Sequence, residues 1–222
     1  MFPIKDENPT KGKPILTVTL MVVNIAVFIA TYFSGQFEQI IPSYGLKPAD
    51  MFAGQQLHTL FTSMFLHGGF LHIFGNMLYL WIFGDNIEDV LGRGKFILFY
   101  LGCGIIASLA QGLWEPNSAI PMIGASGAIS GILGAYIVLY PRARVYTLVW
   151  YYVVKIPAVA FLGFWFVLQV LNVSILTVAG APSGVAYLAH IGGFVAGALM
   201  ILPVRRAMKK RRARYTYRIS VG

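Results

Sequence analysis

Long uncharged stretches alternate with short polar segments along most of the chain, and this pattern predicts six membrane-spanning helices. A span needs about 20 predominantly apolar residues, with about 17 as a practical minimum. The predicted spans are residues 15–33, 70–83 with a polar helical end to 89, 96–114, 126 to a point before 141, a helix within 156–176, and 183–202. The second and fourth are short, and 145–154 is too brief and too aromatic to count as a span.

The composition agrees with this pattern. Apolar residues make up 57% of the 222 residues and charged residues only 11%, whereas a soluble globular protein carries about 25% charged residues. Too few charges remain to cover a water-facing surface, and a chain this apolar does not stay unfolded in water. The single cysteine, Cys103, excludes an internal disulfide and a cysteine-based zinc site. We therefore expect an all-α membrane protein.

The Lys and Arg residues predict the orientation of the spans, because cytoplasmic loops retain positive charge. All of the 17 Lys and Arg residues except Lys47 fall on one predicted side. We expect both termini in the cytoplasm and no cleavable signal peptide. The expected organisation is a cytoplasmic N-terminal segment (1–14), a six-span core (15–203) and a basic cytoplasmic tail (204–222). The tail is expected to lie against anionic lipid, so no nucleic-acid partner is predicted.

Uncharged polar side chains inside spans are costly without partners, so their positions are informative. They are His72 and Asn76 in span 2, Ser126 and Ser130 in span 4, and His190 in span 6. At about 1.5 Å per residue from the cytoplasmic ends, Ser126, His190 and His72 all lie roughly 18 to 21 Å up. A serine and two histidines are thus predicted at one depth in the outer half of the bilayer. Asn76 lies one turn below His72 on the same helical face.

Glycines predict how spans 4 and 6 come into contact. One GxxxG pair follows the serine and another follows the histidine of span 6, namely Gly127 with Gly131 and Gly193 with Gly197. Small residues at this spacing let helix backbones approach closely. We expect this approach to bring Ser126 within hydrogen-bonding reach of His190.

This pairing has a chemical consequence. A serine hydroxyl becomes nucleophilic when a neutral imidazole within about 2.6 to 3.2 Å accepts its proton. The usual third member is an acid that orients the imidazole, but no Asp or Glu is predicted at this depth, so a hydrolase here would use a Ser126–His190 dyad. The Ser126 backbone N–H, the Asn76 amide and the His72 imidazole are suitable donors to an oxyanion.

Three motifs occur in spans 4, 6 and 2, in that order: Gly124-Ala125-Ser126-Gly127, Ala189-His190-x-x-Gly193-x-x-x-Gly197, and His67-x4-His72-x3-Asn76. Together they make the sequence resemble the rhomboid intramembrane serine proteases over roughly residues 15–203. The resemblance implies a rhomboid-like bundle of six transmembrane helices as the catalytic core. It also implies that Ser126 is the nucleophile, His190 the general base, and His72 and Asn76 oxyanion stabilisers.

The resemblance implies supporting positions as well. Gly124 matches the glycine of the active-site motif, Glu88 an acidic position that fixes the end of span 2, and His67 a structural position; Gly127, Gly131, Gly193 and Gly197 are expected to support the site through packing. Two positions depart from the family pattern. Many members carry Trp-Arg where this chain has His58-Thr59, and many place a Tyr or Phe on the catalytic histidine from the position of Ser130.

The expected function is that of an endopeptidase cleaving other membrane proteins in or near their transmembrane segments. Its partners would be transmembrane protein substrates and the lipid bilayer, with no cofactor and no metal. Water must reach the site, so we expect a polar cavity open to the extracytoplasmic side. The resemblance further implies sideways substrate entry between spans 2 and 5. The expected location is the cell membrane, crossed several times.

Three alternatives to a protease stay open. The histidines could bind haem or a metal, but His67 and His72 lie on different helical faces, which fits a shared metal poorly. A proton or ammonium transporter would have broken helices related by an internal repeat, and we find no such repeat in the sequence. A catalytically silent binding member of the same fold is also possible, mainly because of Ser130.

Overall fold

The computed structural model describes residues 2–179 and 184–210 and is mostly helical. The six long helices are α1 (Ile15–Phe33), α5 (Phe70–Leu91), α6 (Arg93–Trp114), α7 (Ser126–Leu139), α8 (Ala158–Ala179) and α9 (Tyr187–Met200). Between α1 and α5 lie α2 (Phe37–Tyr44), α3 (Pro48–Phe52), α4 (Thr59–Thr62) and a 3-10 turn (Ser63–Phe65). Each predicted span thus corresponds to one long helix, and α1 has the predicted bounds.

Four helices are long and apolar enough to cross a membrane: α1, α6, α8, and α9 with its continuation, Tyr187–Lys210. The other two predicted spans differ in length or polarity. α7 has only 14 residues, and α5 carries Asp85, Glu88 and Asp89 in its last two turns. The count of six spans therefore stays a prediction. The predicted start of span 6 at residue 183 and the tail beyond residue 210 lie outside the described residues.

α7 lies at the centre of the bundle, where it packs against α5, α6 and α9. Its buried side chains Ile132, Leu133 and Tyr136 contribute to the main hydrophobic core. α9 runs alongside α7 in the same direction, since Gly193 lies against the Gly127 carbonyl and Gly197 against the Gly131 carbonyl. Both predicted glycine pairs are therefore part of one helix–helix contact.

The N-terminus of α1 lies beside the C-terminal end of α5. The buried Glu88 carboxylate accepts hydrogen bonds from the backbone N–H groups of Leu16 (3.0 Å) and Thr17 (2.7 Å). A carboxylate suits this position because a helix N-terminus carries unpaired N–H groups and partial positive charge. We call this the basic end of the bundle, because most of the chain's basic residues border it, including Lys11, Lys13, Arg93, Lys95, Arg142 and Arg144.

A three-stranded antiparallel sheet corrects the all-α prediction. Its strands are β1 (Phe2–Asp6), β2 (Arg144–Val149) and β3 (Tyr152–Pro157), in the order β1-β2-β3. The stretch 145–154 therefore belongs to a hairpin, in keeping with the strand preference of its β-branched and aromatic residues. The sheet could not be predicted from the sequence, because β1 comes from the opposite end of the chain and no local pattern indicates its pairing with β2.

Candidate active site

Ser126 and His190 lie within hydrogen-bonding distance at the ends of α7 and α9 that are remote from the basic end. The distance from Ser126 Oγ to His190 Nε2 is 2.8 Å. The close glycine contact explains this proximity, because an added Cβ on Gly193 would lie 2.1 Å from the Gly127 carbonyl oxygen. The structure thus brings together the predicted nucleophile and base.

Gln169 on α8 is a site residue that the sequence analysis missed. Its Oε1 lies 2.9 Å from His190 Nδ1, and its Nε2 donates to the Trp165 carbonyl at 3.2 Å. Because an amide oxygen only accepts, the proton of neutral His190 resides on Nδ1 and leaves Nε2 free to accept from the Ser126 hydroxyl. A polar residue within an apolar span was the available signal, but a Gln there is more often read as a packing contact.

The His190 ring is also held by aromatic side chains. The Trp165 ring lies 6.0 Å away at 33°, and the Tyr187 ring packs edge-on at 6.3 Å. Ser130, which stands where many relatives carry an aromatic residue, donates its hydroxyl to the Ser126 carbonyl at 2.6 Å instead. The aromatic contact to His190 therefore comes from α8 and α9 rather than from α7.

The first turn of α9, which carries His190, is fixed from α6. Gln111 Oε1 accepts hydrogen bonds from the backbone N–H groups of Leu188 (3.1 Å) and Ala189 (3.3 Å). These N–H groups would otherwise be unpaired at a helix N-terminus. Gln111 is a second supporting residue that the sequence analysis did not identify.

The predicted oxyanion donors His72 and Asn76 converge on Gly124. His72 Nδ1 accepts a hydrogen bond from the Gly68 N–H at 3.3 Å, which leaves Nε2 of the neutral ring as a donor. Asn76 Nδ2 is buried and has no hydrogen-bond partner among the described residues. Gly124 has φ +122°, and a Cβ there would lie 2.7 Å from His72 Nε2. Glycine is therefore required both by the backbone and by the space beside these donors.

His67 and the segment containing His58 and Thr59 support the site from outside the long helices. His67 is fully buried and packs edge-on against the His72 ring, with 5.0 Å between centroids. The Thr59 hydroxyl donates to the Gln56 carbonyl at 2.7 Å, and the His58 ring packs edge-on against Tyr44. The segment is thus held by local contacts that differ from the usual Trp-Arg pair.

A backbone bridge joins the segment between α1 and α5 to the chain entering α7. Leu46 N–H donates to the Met122 carbonyl at 3.0 Å, and Met122 N–H donates back to the Leu46 carbonyl at 2.8 Å. The Gly124 N–H donates to the Ser63 carbonyl at 2.9 Å. These bonds fix the approach to Ser126.

A cavity of about 850 Å³ opens in front of these side chains, between α5 and α8. Its polar lining includes Ser126, His190, His72 and Asn76, and Trp165 contributes an apolar wall. Across residues 2–179 and 184–210, no three His, Cys, Asp or Glu side chains are grouped so as to hold a metal ion. The arrangement contains a serine hydroxyl hydrogen-bonded to an imidazole, with convergent N–H donors, beside a space for a ligand.

The chain is similar in sequence to a protein family and to several known proteins. The family model of the Rhomboid domain matches residues 54–207. The chain is 33% identical over 204 residues to the rhomboid protease GluP of Bacillus subtilis, covering 90% of this chain and 38% of that protein. It is 30% identical over 211 residues to the mitochondrial rhomboid protein 1 of Saccharomyces cerevisiae, covering 90% and 56%.

A third relative is the rhomboid protease GlpG of Pectobacterium atrosepticum, 31% identical over 187 residues, with 83% of this chain and 61% of that protein covered. The chain thus spans between 38% and 61% of the length of these three relatives. The family model covers more than half of the chain, including every predicted site residue. This membrane protein therefore belongs to the rhomboid family.

Proposed function

We propose that the protein is an intramembrane serine endopeptidase that hydrolyses peptide bonds in or near the transmembrane segments of other membrane proteins. The observation that carries the proposal is the 2.8 Å hydrogen bond between Ser126 Oγ and His190 Nε2 at the edge of a cavity. Two of the relatives described above are named rhomboid proteases, which supports the same reaction.

The proposed first step is acylation of Ser126. His190 Nε2 accepts the hydroxyl proton as Oγ attacks the substrate carbonyl carbon. Gln169 holds Nδ1–H throughout, at 2.9 Å, and so keeps Nε2 directed at the hydroxyl. The imidazolium then donates the proton to the departing amine, and the C–N bond breaks to leave an acyl-enzyme.

Oxyanion stabilisation is the proposed role of three donors. The Ser126 N–H, in the first turn of α7, has no partner within the helix ladder. His72 Nε2–H and Asn76 Nδ2–H approach the same space beside Gly124. Preorganised donors of this kind stabilise the charge that develops on the carbonyl oxygen. A water molecule activated by His190 then hydrolyses the acyl-enzyme by the same sequence of proton transfers.

The proposed topology has six spans in the core 15–203, with both termini in the cytoplasm and the site opening to the extracytoplasmic side. The gathering of basic residues at one end of the bundle, away from Ser126, supports this orientation. The cavity between α5 and α8 supports sideways entry of a substrate segment. The substrate must be extended at the scissile bond, which small or helix-breaking residues facilitate.

The test is cleavage of a single-span reporter by purified protein in detergent, together with labelling by a fluorophosphonate. We expect cleavage and labelling for wild type and neither for Ser126→Ala. Ser130→Ala is the matched control, because its hydroxyl lies one turn along α7 and bonds only to the Ser126 carbonyl. Cleavage by pure Ser126→Ala would eliminate the nucleophile, and a folded wild type without cleavage or labelling would contradict the protease function.

A further inference from the structure

The space between α5 and α8 is filled by aromatic side chains on the side of the cavity nearer the basic end. There the Tyr79 ring of α5 stacks on the Phe161 ring of α8, with 6.5 Å between centroids and 24° between planes. Phe83, also on α5, stacks on the same Phe161 ring at 6.5 Å and 23°. The two helices are therefore in side-chain contact at this level.

One turn farther from the basic end, α5 contributes no side chain. The two helices run in opposite directions, because α5 ends at the basic end and α8 begins there, beside the end of α7. Four residues before Tyr79 on α5 is Gly75, and four residues after Phe161 on α8 is Trp165, about one turn in each case. Both residues line the cavity. At this level the gap between the helices has an indole ring on one side and only backbone on the other.

Neither the backbone nor the packing requires glycine at position 75. The position lies inside the helix α5, and among the described residues nothing lies within 4 Å of a Cβ added there. Glycine is one of the least favourable residues in a helix interior. It is well suited to places where a ligand approaches the backbone closely. Gly163 on α8 has the same free space but is not one of the residues that line the cavity.

The surroundings of Gly75 indicate what kind of group would fill the gap. His72 lies three residues before Gly75 and Asn76 directly follows it, so the proposed oxyanion donors are its neighbours on α5. A substrate side chain placed against Gly75 therefore belongs to a residue close to the scissile bond. The Trp165 ring opposite and the Tyr79 ring one turn away make this part of the cavity largely apolar.

We propose that Gly75 determines substrate specificity by admitting a large apolar side chain, such as that of leucine or phenylalanine, into the gap opposite Trp165. This selectivity rests on the proposed protease function, and it adds to that function the kind of residue that stands beside the scissile bond. A large side chain at position 75 would occupy the same space and contact the Trp165 ring. It would then exclude large substrate residues while leaving room for small ones.

The test compares single-span reporters in detergent, after the scissile bond of the wild-type reaction has been located by mass spectrometry. One reporter has alanine on both sides of that bond, and two others have phenylalanine on one side or the other. The measured quantity is kcat/KM for each phenylalanine reporter divided by kcat/KM for the alanine reporter. It is determined for wild type, Gly75→Phe and the matched control Gly163→Phe, whose side chain is added outside the cavity.

We expect this ratio, for the phenylalanine reporter that wild type cleaves better, to fall at least about tenfold in Gly75→Phe and to stay within about twofold of wild type in Gly163→Phe. Gly75→Ala and Gly75→Leu complete the series with smaller side chains. The methyl of Gly75→Ala meets no described neighbour, so this variant should fold at least as well as wild type. The series therefore remains informative if Gly75→Phe does not fold.

An unchanged ratio along the series would overturn the proposal, because bulk at position 75 would then not select between side chains. An equal loss of cleavage of all reporters would overturn it for the same reason. So would a wild type that cleaves the alanine reporter and neither phenylalanine reporter. Failure of folded wild type to cleave any reporter would instead contradict the protease function itself, so the two failures are distinguishable.

Discussion

Gln169 occupies the place beside His190 where soluble serine hydrolases use a carboxylate. A neutral amide orients the imidazole without adding a charge at membrane depth, where an unpaired charge is expensive. In the proposed mechanism Gln169 stabilises the His190 imidazolium less than a carboxylate would, so its main role there is to hold the ring in position. Trp165, whose carbonyl accepts from Gln169, also packs against the ring, so one turn of α8 provides both contacts.

Replacing Gln169 tests this role at the residue scale. Gln169→Leu should lower kcat by roughly tenfold to a hundredfold, part of what a general base contributes, with little change in KM. Gln169→Glu should retain activity and shift the acidic limb of the pH–rate profile upward, because a carboxylate favours the imidazolium. Reporter kinetics across pH are the measurement.

Asn172→Leu is the matched control, since Asn172 lies on the same helix, is partly exposed, and donates only to the Leu168 carbonyl. Equal kcat for Gln169→Leu and Asn172→Leu would show that Gln169 does not position the base. If Gln169 only filled space, the pH–rate profile of Gln169→Glu would match that of wild type. A shifted profile therefore separates positioning of His190 from simple packing.

Among the helices, α7 and α9 determine the geometry of the site. Their backbones touch at three glycines on α7, of which the sequence analysis named only two. A Cβ on Gly134 would lie 1.9 Å from the Phe194 carbonyl oxygen, so this third glycine is as constrained as Gly131 or Gly127. The 2.8 Å distance between Ser126 and His190 depends on this close approach.

Gly197→Ala tests the helix contact. The added methyl would lie 1.9 Å from the Gly131 carbonyl oxygen, so the helices must separate. We expect a loss of about 1 to 3 kcal/mol or more in the free energy of unfolding, together with a lower cleavage rate. Gly163→Ala on α8 has nothing within 4 Å of the added methyl and should be neutral or slightly stabilising. Thermal unfolding in detergent compares the two, and similar transition temperatures would argue against the contact.

At the scale of the whole molecule, the N-terminal strand ties distant helices together. Asp6 accepts hydrogen bonds from Tyr136 on α7 (2.5 Å) and from Asn86 on α5 (3.2 Å). Burial raises the pKa of Asp6 above its usual value of 3.8, although these hydrogen bonds oppose the shift. The folded state therefore holds the Asp6 proton to higher pH than the unfolded chain does.

This raised pKa predicts the direction of a pH effect on stability. The contribution of Asp6 to the stability of the folded state is largest below the pKa that Asp6 has in the unfolded chain. It is lost as the pH rises through the higher pKa that Asp6 has in the folded state. Asp6→Asn should remove this component, so its unfolding temperature should fall less than that of wild type between about pH 4 and neutrality. Asp50→Asn, at a partly exposed surface ion pair with Lys47, is the control. Parallel curves of unfolding temperature against pH for wild type and Asp6→Asn would contradict the prediction.

The helices and the central pair of site residues could be predicted from the sequence alone. Uncharged stretches of sufficient length are a local property, and residue counting along a helix gives depth at a constant rise. For the same reason Ser126, His190, His72 and Asn76 could be identified as neighbours before any contact was known. The glycine pairs added the direction in which α7 and α9 approach one another.

Tertiary structure decided the rest, because those features depend on residues far apart in the chain. The Gln169 contact depends on the rotation of α8 about its axis, and α8 is apolar around most of its circumference. The sheet pairs β1 with a strand about 140 positions later, and neither strand indicates its partner. Thus length and polarity along the chain determined the helices and the level along them at which the site residues meet. Only packing between helices and strands decided which side chain orients His190 and where the N-terminal segment pairs.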